Sequence, residues 1–173
     1  MVAACKGHKS VFDLLVSKKA DLTLVDGDCN SLLHLACAGG NTAIVQHLVS
    51  PSNINTTGQY GHTPVMVAAG KGHQRVFDLL VSQKADLTLR DDHGNSLLHH
   101  ACNGGNTARV QHVLSPSNIN LGGQSGLTPI VFAALRGHQR VFDLLVSRNA
   151  DLTQWIAIVI VRFVLPNVRS RQQ

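Results

Sequence analysis

Glutamate is missing from this 173-residue chain, so all ten of its acidic residues are aspartates. The aspartates recur at fixed intervals, since Asp13, Asp78 and Asp143 are spaced 65 residues apart. A catalytic site needs unlike groups that converge once, whereas repetition indicates an architectural role. No nucleophile can be paired with a base in this sequence. We therefore expect a non-catalytic protein that needs no cofactor and takes no small-molecule substrate.

Long apolar segments are also lacking. No apolar run approaches a length of about 20 residues, which a helix needs to span a bilayer. The longest run covers residues 155–165 and contains one arginine, Arg162. Two interpretations of the tail, residues 155–173, stay open. It covers the apolar face of the preceding residues as a strand or a helix, or it is unrelated sequence joined to them. The second is favoured because the terminal cap of a repeat protein is normally polar outside.

Cysteine pairs with Cys-x-x-Cys spacing are absent as well. The four cysteines are Cys5, Cys29, Cys37 and Cys102. Their spacing indicates neither a disulfide framework nor paired metal ligands. A reduced, intracellular protein, expected in the cytoplasm, fits this usage best.

The net charge of +5 is unevenly distributed along the chain. Residues 1–154 contain twelve lysines and arginines against ten aspartates, and residues 155–173 add three arginines and no acid. A nucleic-acid binder normally concentrates positive charge on its folded surface. Nucleic acid is therefore not the expected partner, although binding to nucleic acid or to an acidic membrane surface through the tail and the row of basic residues at Lys6, Lys71 and Arg136 stays an alternative.

A repeat of 65 residues organises the rest of the sequence. The segment at 76–82 recurs at 11–17 and 141–147, and the segment at 30–37 recurs at 95–102. Each 65-residue block consists of two similar halves, so the underlying period is near 33. The five resulting units are residues 1–29 (truncated), 30–61, 62–94, 95–126 and 127–154.

The units share short motifs at fixed places. In the third unit these are Thr63-Pro64 at a predicted helix start, Gly72-His73 at its end and Ala85-Asp86 before the turn. A period near 33 with these motifs resembles the ankyrin-repeat family. The resemblance covers residues 1–154.

This resemblance implies an all-α solenoid of stacked helix-turn-helix units with β-hairpin-like loops. It also implies a protein–protein interaction module, expected here as a fragment of a larger scaffold, adaptor or receptor. The regulatory part of an enzyme or channel stays an alternative. Met1 aligns with Met66 inside a predicted helix, which favours a piece of a longer array.

Several local features are expected from the pattern. The hydroxyl of Thr63 should cap its helix, and Pro64 suits the first helical position because no N–H is needed there. The family has glycine before the Ala-Asp motif, where the second helix ends in a left-handed residue. Lys19, Lys84 and Asn149 hold that position here. The predicted core consists of Val65, Ala68, Val76, Leu79, Leu80 and their counterparts in the other units.

Ankyrin arrays bind partners with their loop tips and the exposed side of the first helix. Lys6, Lys71 and Arg136 occupy equivalent positions and would form a basic row that favours an acidic partner, or a solvated edge that aids solubility. Tyr60 is the best single anchor, since it is the one aromatic residue at a tip. Mapped onto this sequence, the partner-binding residues are Lys6, Asp28, Gln59, Tyr60, Lys71, Asp92, His93, Gln124, Ser125 and Arg136.

The ten histidines invite a metal-binding interpretation. Equivalent residues of stacked units lie about 10 Å apart, which is farther than one ion can bridge. No metal site is therefore expected.

Two asparagines, Asn55 and Asn120, match the turn residue that protein hydroxylases modify in some ankyrin proteins. Hydroxylation at these residues is one hypothesis. The favoured interpretation is that asparagine is used there for its turn geometry.

Overall fold

The computed structural model describes residues 1–159. Eleven α-helices account for most of this part of the chain, and single turns of 3-10 helix lie at Gln59–Gly61 and Gln124–Gly126. The helices are α1 (Val2–Lys6), α2 (Lys9–Ser17), α3 (Leu32–Gly39), α4 (Thr42–Leu48), α5 (Pro64–Lys71), α6 (Gln74–Ser82), α7 (Leu97–Gly104), α8 (Thr107–Val113), α9 (Pro129–Leu135), α10 (Gln139–Ser147) and α11 (Thr153–Val159).

The helices stack in two layers. The first helices of the five units, α1, α3, α5, α7 and α9, contact one another in chain order, and each packs against the second helix of its own unit. Extended structure within residues 1–159 is limited to isolated bridges, which join Val25 to Ser31 and Arg90 to Ser96. The expected all-α solenoid of stacked helix pairs is confirmed.

Histidine side chains stabilise the N-termini of α3 and α7, the first helices of the second and fourth units. The Nδ1 atom of His34 accepts the backbone N–H of Ser31 at 3.2 Å. The ring proton therefore lies on Nε2, which donates to the carbonyl oxygens of Thr56 at 3.1 Å and of His62 at 3.0 Å. His34 thus holds its own helix start and the beginning of the next unit.

The predicted threonine cap is wrong. Thr63 precedes α5, but its side chain makes no capping hydrogen bond. The residue is fully buried, and its hydroxyl lies in the core rather than over the N–H groups of the first turn. Pro64 does occupy the first helical position, where its fixed φ favours the helix.

Glycines near the ends of α3 and α7 let neighbouring first helices touch. A Cβ atom on Gly104 would lie 2.1 Å from the carbonyl oxygen of Ala69 in α5. A Cβ atom on Gly39 would lie 1.9 Å from the carbonyl oxygen of Cys5 in α1. Only glycine is compatible with this backbone approach.

The observed core matches the predicted core with two differences. Val65, Ala68, Val76 and Leu80 are fully buried, but Leu79 is only partly buried, at the edge of the core, and Phe77 is fully buried in its place. The helical rotation turns Phe77 into the core, where its ring lies 5.9 Å from that of His112 in α8.

The first unit departs further from the expected core. Val11, Leu14 and Leu15 are the counterparts of Val76, Leu79 and Leu80, and they are 50%, 58% and 42% exposed. No described unit packs against the outer side of α2, so its apolar edge faces solvent. Phe12 alone is buried in that helix.

The predicted left-handed residues are present. Lys19, Lys84 and Asn149 have φ angles of 58°, 65° and 63°. Lysine in this conformation costs on the order of 1 kcal/mol relative to glycine, because its Cβ crowds the backbone.

One buried charge was not expected. Arg109 in α8 is fully buried, although the equivalent positions hold the buried apolar residues Ile44, Val76 and Val141. Its Nη1 atom reaches the carbonyl oxygen of Ala68 at 3.4 Å, and its Nε and Nη2 atoms have no partner within residues 1–159. Burial lowers the pKa of the Arg109 guanidinium.

The beginning of the tail packs on the last unit. The helix α11 contacts α9, and the ring of Trp155 lies 6.1 Å from that of Phe142. Gln154 joins α11 to the preceding loop by accepting the N–H of Thr128 and donating to the carbonyl oxygen of Gly126. Residues 160–173, which include most of the predicted apolar and basic tail, lie outside the described residues.

None of the described helices has the length and apolar character needed to cross a membrane. The four cysteines are unpaired thiols, with Cys37 and Cys102 in the core. Burial raises the pKa of both core thiols, which keeps them protonated.

Candidate functional site: a groove beside Tyr60

A groove of about 300 Å³ lies on the face formed by the first helices of the second, third and fourth units. Apolar side chains such as Leu35 and Val67 form part of its wall, and Tyr60, Lys71 and His100 add polar groups. A cleft of mixed character suits a side chain or a short segment of a partner. We call this feature the Tyr60 groove.

Five of the predicted partner-binding residues lie in or next to this groove. Gln59, Tyr60 and Lys71 line it. The backbone N–H of Asp92 donates to the carbonyl oxygen of Tyr60 at 3.0 Å. The ring of His93 lies 5.5 Å from the ring of Tyr60.

The other five predicted residues lie in equivalent places of other units and do not line the Tyr60 groove. Lys6 ends α1, Asp28 lies in the first hairpin, and Arg136 directly follows α9. Gln124 and Ser125 belong to the second 3-10 turn. All five are exposed. The structure therefore groups half of the predicted set and leaves the rest apart.

Tyr60 has an unusual backbone conformation for a large residue. Its φ and ψ angles are 56° and 28°, in the left-handed region, and Ser125 has the same conformation at the equivalent tip. The side chain of Tyr60 is 54% exposed. A bulky residue is rare in this region and costs about 1 kcal/mol or more, and such strain clusters at functional sites.

The next glycine explains how the tip is held. Gly61 has a φ of 72°, and a Cβ atom there would lie 2.4 Å from the Oδ1 atom of Asp92. The tip of one hairpin therefore packs directly on the next hairpin. This contact fixes where the ring of Tyr60 projects.

A group of three ionisable side chains lies at the groove wall, and we call it the His–Asp–His cluster. The Oδ2 atom of Asp91 lies 3.0 Å from Nε2 of His100 and 3.4 Å from Nε2 of His62. The rings of His62 and His100 are 4.8 Å apart and nearly perpendicular. The carboxylate is completely buried, whereas both histidines are partly exposed and line the groove.

The electrostatics of this cluster favour a charged carboxylate. Burial alone would raise the pKa of Asp91, but hydrogen bonds from His100 and Asn95 outweigh burial and hold that pKa below its ordinary value. Burial lowers the pKa of His62, and the neighbouring His100 lowers it further. The cluster therefore contains a buried negative charge beside an imidazole that resists protonation.

Comparison of equivalent positions could not reveal this cluster, because its members are not equivalent. His62 precedes α5, Asp91 lies in the following hairpin and His100 lies on α7. One signal was nevertheless present in the sequence. His100 stands where the other units have Leu35, Val67 and Phe132.

The two asparagines of the hydroxylation hypothesis join neighbouring units. The Oδ1 atom of Asn55 accepts the backbone N–H of Asp86 at 2.9 Å, and that of Asn120 accepts the N–H of Asp151 at 2.8 Å. These bonds support a structural role for both side chains. Their hydroxylation stays a prediction.

Comparison with known proteins agrees with the stacked helix pairs. The family model described as ankyrin repeats (3 copies) matches residues 1–91 and 83–154. The chain belongs to the ankyrin-repeat family. Ankyrin repeats are generally protein–protein interaction modules and are typically non-catalytic.

Two proteins that are similar to this chain are much longer than it. Protein fem-1 homolog A-like of Mus musculus is 26% identical over 103 residues, which are 60% of this chain and 16% of that protein. Alpha-latrotoxin-Lg1a of Latrodectus geometricus is 30% identical over 145 residues, which are 79% of this chain and 10% of the toxin. The ankyrin chain therefore spans less than a fifth of either relative.

Proposed function

We propose that this ankyrin-repeat chain binds a protein partner in the Tyr60 groove, with Tyr60 as the central contact. The observation that carries the proposal is an exposed, backbone-strained tyrosine at the rim of a groove with a partly apolar wall. Tyrosine is enriched among the residues that dominate binding energy, because it buries a large area and also offers a hydroxyl. A rigid tip reduces the entropy that binding costs.

The charge around the groove favours an acidic segment in the partner. Lys71 ends α5 at the groove, with its side chain exposed to solvent. Lys6 and Arg136 repeat this positive charge in the first and last units. Complementary charge mainly increases the association rate and the specificity of a complex. We therefore expect a partner that carries aspartate or glutamate next to the side chain that enters the groove.

The proposal includes the wider role of the protein. A non-catalytic interaction module that acts within a larger scaffold, adaptor or receptor is consistent with relatives many times longer than this chain. An intracellular location is consistent with the unpaired thiols of the described residues. Neither a cofactor nor a small-molecule substrate is part of the proposed function.

Selection of displayed peptides on the full chain tests the proposal. We expect enrichment of acidic peptides with a hydrophobic residue, and their affinity is then measured by fluorescence polarisation. Tyr60→Ala should weaken binding by about 30-fold or more, as expected of a central contact worth about 2 kcal/mol. Lys71→Glu should also weaken binding, and more strongly at low salt than at high salt.

Matched variants control for effects on the fold. Tyr60→Ser introduces the residue that Ser125 provides at the equivalent tip, so the array should remain folded while peptide affinity falls. Arg75→Glu makes the same charge change as Lys71→Glu, but on the second helix of the unit. Peptides that bind Tyr60→Ser as tightly as the wild type, or that lose as much affinity on Arg75→Glu as on Lys71→Glu, would place the binding surface elsewhere.

A further inference from the structure

The His–Asp–His cluster brings three metal-ligating atoms together at the spacing of a coordination site. The ligand atoms of His62, Asp91 and His100 all lie within 4.8 Å of one another. Two of the three separations are 3.0 Å and 3.4 Å. Ligands held about 2.0–2.2 Å from a tetrahedral zinc ion are about 3.3–3.6 Å apart. The observed spacing therefore needs only a small adjustment of the side chains to surround an ion.

The carboxylate is held in position before any ion arrives. The Oδ1 atom of Asp91 accepts the backbone N–H groups of His93 at 3.0 Å and of Asn95 at 2.8 Å. Its Oδ2 atom accepts the side-chain N–H of Asn95 at 3.0 Å. The remaining space around Oδ2 is taken by the two imidazoles. Fixed ligands of this kind favour metal binding, because less side-chain freedom is lost on coordination.

The buried charge of Asp91 lacks a permanent counterion. Within residues 1–159 its ion pairs are only with His62 and His100, and no lysine or arginine reaches it. A buried charge is normally paired or bound to a metal.

The site is also accessible from the solvent. The side chains of His62 and His100 are 29% and 14% exposed. Both line the Tyr60 groove, whose volume of about 300 Å³ leaves room for a water molecule as a fourth ligand. An ion can therefore enter without unfolding of the array.

We propose that His62, Asp91 and His100 bind a divalent transition-metal ion, with Zn²⁺ as the preferred ion and a groove water as the fourth ligand. Imidazole and carboxylate ligands suit Zn²⁺. Each histidine coordinates through the Nε2 lone pair and carries its ring proton on Nδ1. Before an ion binds, the Nε2 atom of His100 donates to the Oδ2 atom of Asp91 at 3.0 Å, so binding exchanges this hydrogen bond for three coordination bonds. This site does not depend on the proposed partner, because it lies within one chain.

Isothermal titration calorimetry of the full chain with Zn²⁺ tests the proposal directly. We expect one ion to bind per chain and the thermal midpoint of unfolding to rise in excess Zn²⁺, since the ion binds only the folded arrangement. Titration with Co²⁺ should produce the visible absorption bands of tetrahedral coordination. Absence of saturable one-to-one binding would overturn the proposal and leave a purely hydrogen-bonded cluster.

The chain itself supplies the variants that locate the site. His100→Leu introduces the residue found at Leu35, and His62→Asn introduces the residue found at Asn30 and Asn95. Each should weaken Zn²⁺ binding by at least about tenfold and abolish the rise in thermal midpoint, because two ligands hold an ion poorly. His8→Asn, which introduces the residue found at Asn41, is the matched control and should bind Zn²⁺ like the wild type.

The fold of each variant is checked by circular dichroism in the presence of a chelator. If one variant unfolds, the other decides the question. Imidazole NMR signals of the wild type give an independent assignment, because only the rings of His62 and His100 should shift on addition of Zn²⁺. Unchanged binding in both His100→Leu and His62→Asn, or shifts at other histidines alone, would show that the ion binds elsewhere and would refute the site.

Discussion

Replacement of Arg109 by an apolar residue should stabilise the protein, because this arginine is a buried charge that the fold does not compensate. Within residues 1–159 the guanidinium makes one hydrogen bond, to the carbonyl oxygen of Ala68, and this bond is long at 3.4 Å. The nearest acidic influence is Asp78, whose carboxylate already accepts a hydrogen bond from Gln74 at 2.7 Å. The equivalent Ile44 is fully buried, which shows that the site accommodates a branched apolar side chain.

The magnitude follows from two opposing terms. Each buried donor without a partner costs about 1–3 kcal/mol, and Arg109 has two such nitrogen atoms within the described part of the chain. Apolar replacement of buried charges commonly stabilises by about 1–4 kcal/mol. Isoleucine is shorter than arginine, and the small cavity that it leaves costs about 1 kcal/mol. We expect Arg109→Ile to raise the free energy of unfolding by about 2 kcal/mol.

Methionine separates these two terms. Arg109→Met removes the charge but keeps a long, unbranched side chain, so the cavity term is smaller and the gain should reach about 3 kcal/mol. Arg109→Lys keeps a buried charge and should give no gain. For a chain of this length, about 2–3 kcal/mol corresponds to a rise of about 4–12 °C in the thermal midpoint.

Urea unfolding followed by far-UV circular dichroism provides the measurement. The midpoint should move to higher urea in Arg109→Ile and Arg109→Met, with the slope unchanged, since the folded surface is the same. A lower midpoint in both variants would refute the reasoning. It would mean that the guanidinium is paired in solution and contributes to stability.

Three further predictions concern the backbone and the buried histidines. Lys84→Gly should raise the free energy of unfolding by about 1 kcal/mol, because glycine adopts the left-handed conformation without strain; a drop in the melting temperature would argue against strain at this residue. Gly104→Ala should lower the free energy of unfolding by about 1–3 kcal/mol in urea unfolding, because the cost of the steric contact with the Ala69 carbonyl exceeds the gain in helix propensity. An unchanged urea midpoint would disprove the close approach. Burial lowers the pKa of His34 and lowers that of His99 to about 4. The folded state therefore binds fewer protons than the unfolded state, so stability should be full above about pH 6.5 and fall below it. His99 should contribute a loss of about 1.4 kcal/mol for each pH unit towards 4, and His34 a loss of the same sign. Urea unfolding with a chelator present measures this loss, and pH-independent stability over that range would contradict it.

The fold was predictable from the sequence because its information is repeated. The apolar spacing of Val65, Ala68 and Val76 recurs in the second and fifth units, so one correct helix assignment applies to the equivalent helices. The left-handed Lys84 was predictable for the same reason, since a family glycine marks the position where the second helix ends. Errors arose where a residue has more than one possible role. Thr63 is a good cap by composition, yet its hydroxyl lies in the core.

The candidate site was only partly predictable. Tyr60 and Lys71 could be assigned to a surface, because loop tips and helix ends are exposed in any such stack. Their grouping around one groove depends on side-chain packing between three units. The His–Asp–His cluster was missed because its contacts cross from His62 through Asp91 to His100, three positions that repeat alignment never compares.

The junctions between units are of two alternating kinds, and this has a consequence for how such a chain can change length. From the second to the third unit and from the fourth to the fifth, histidine and asparagine side chains cross the boundary, as His34 and Asn55 do. From the first to the second and from the third to the fourth, a helix glycine packs directly on the backbone of the preceding unit, as Gly104 does, and different polar contacts cross the boundary, such as that of His100 with Asp91. Deletion of residues 62–126 would join the second unit to the fifth through a boundary of a type that already exists. Deletion of 62–94 alone would join the second unit to the fourth, whose surfaces are not complementary. The array should therefore tolerate the gain or loss of two units at a time, so the 65-residue block is the segment that can be duplicated or deleted.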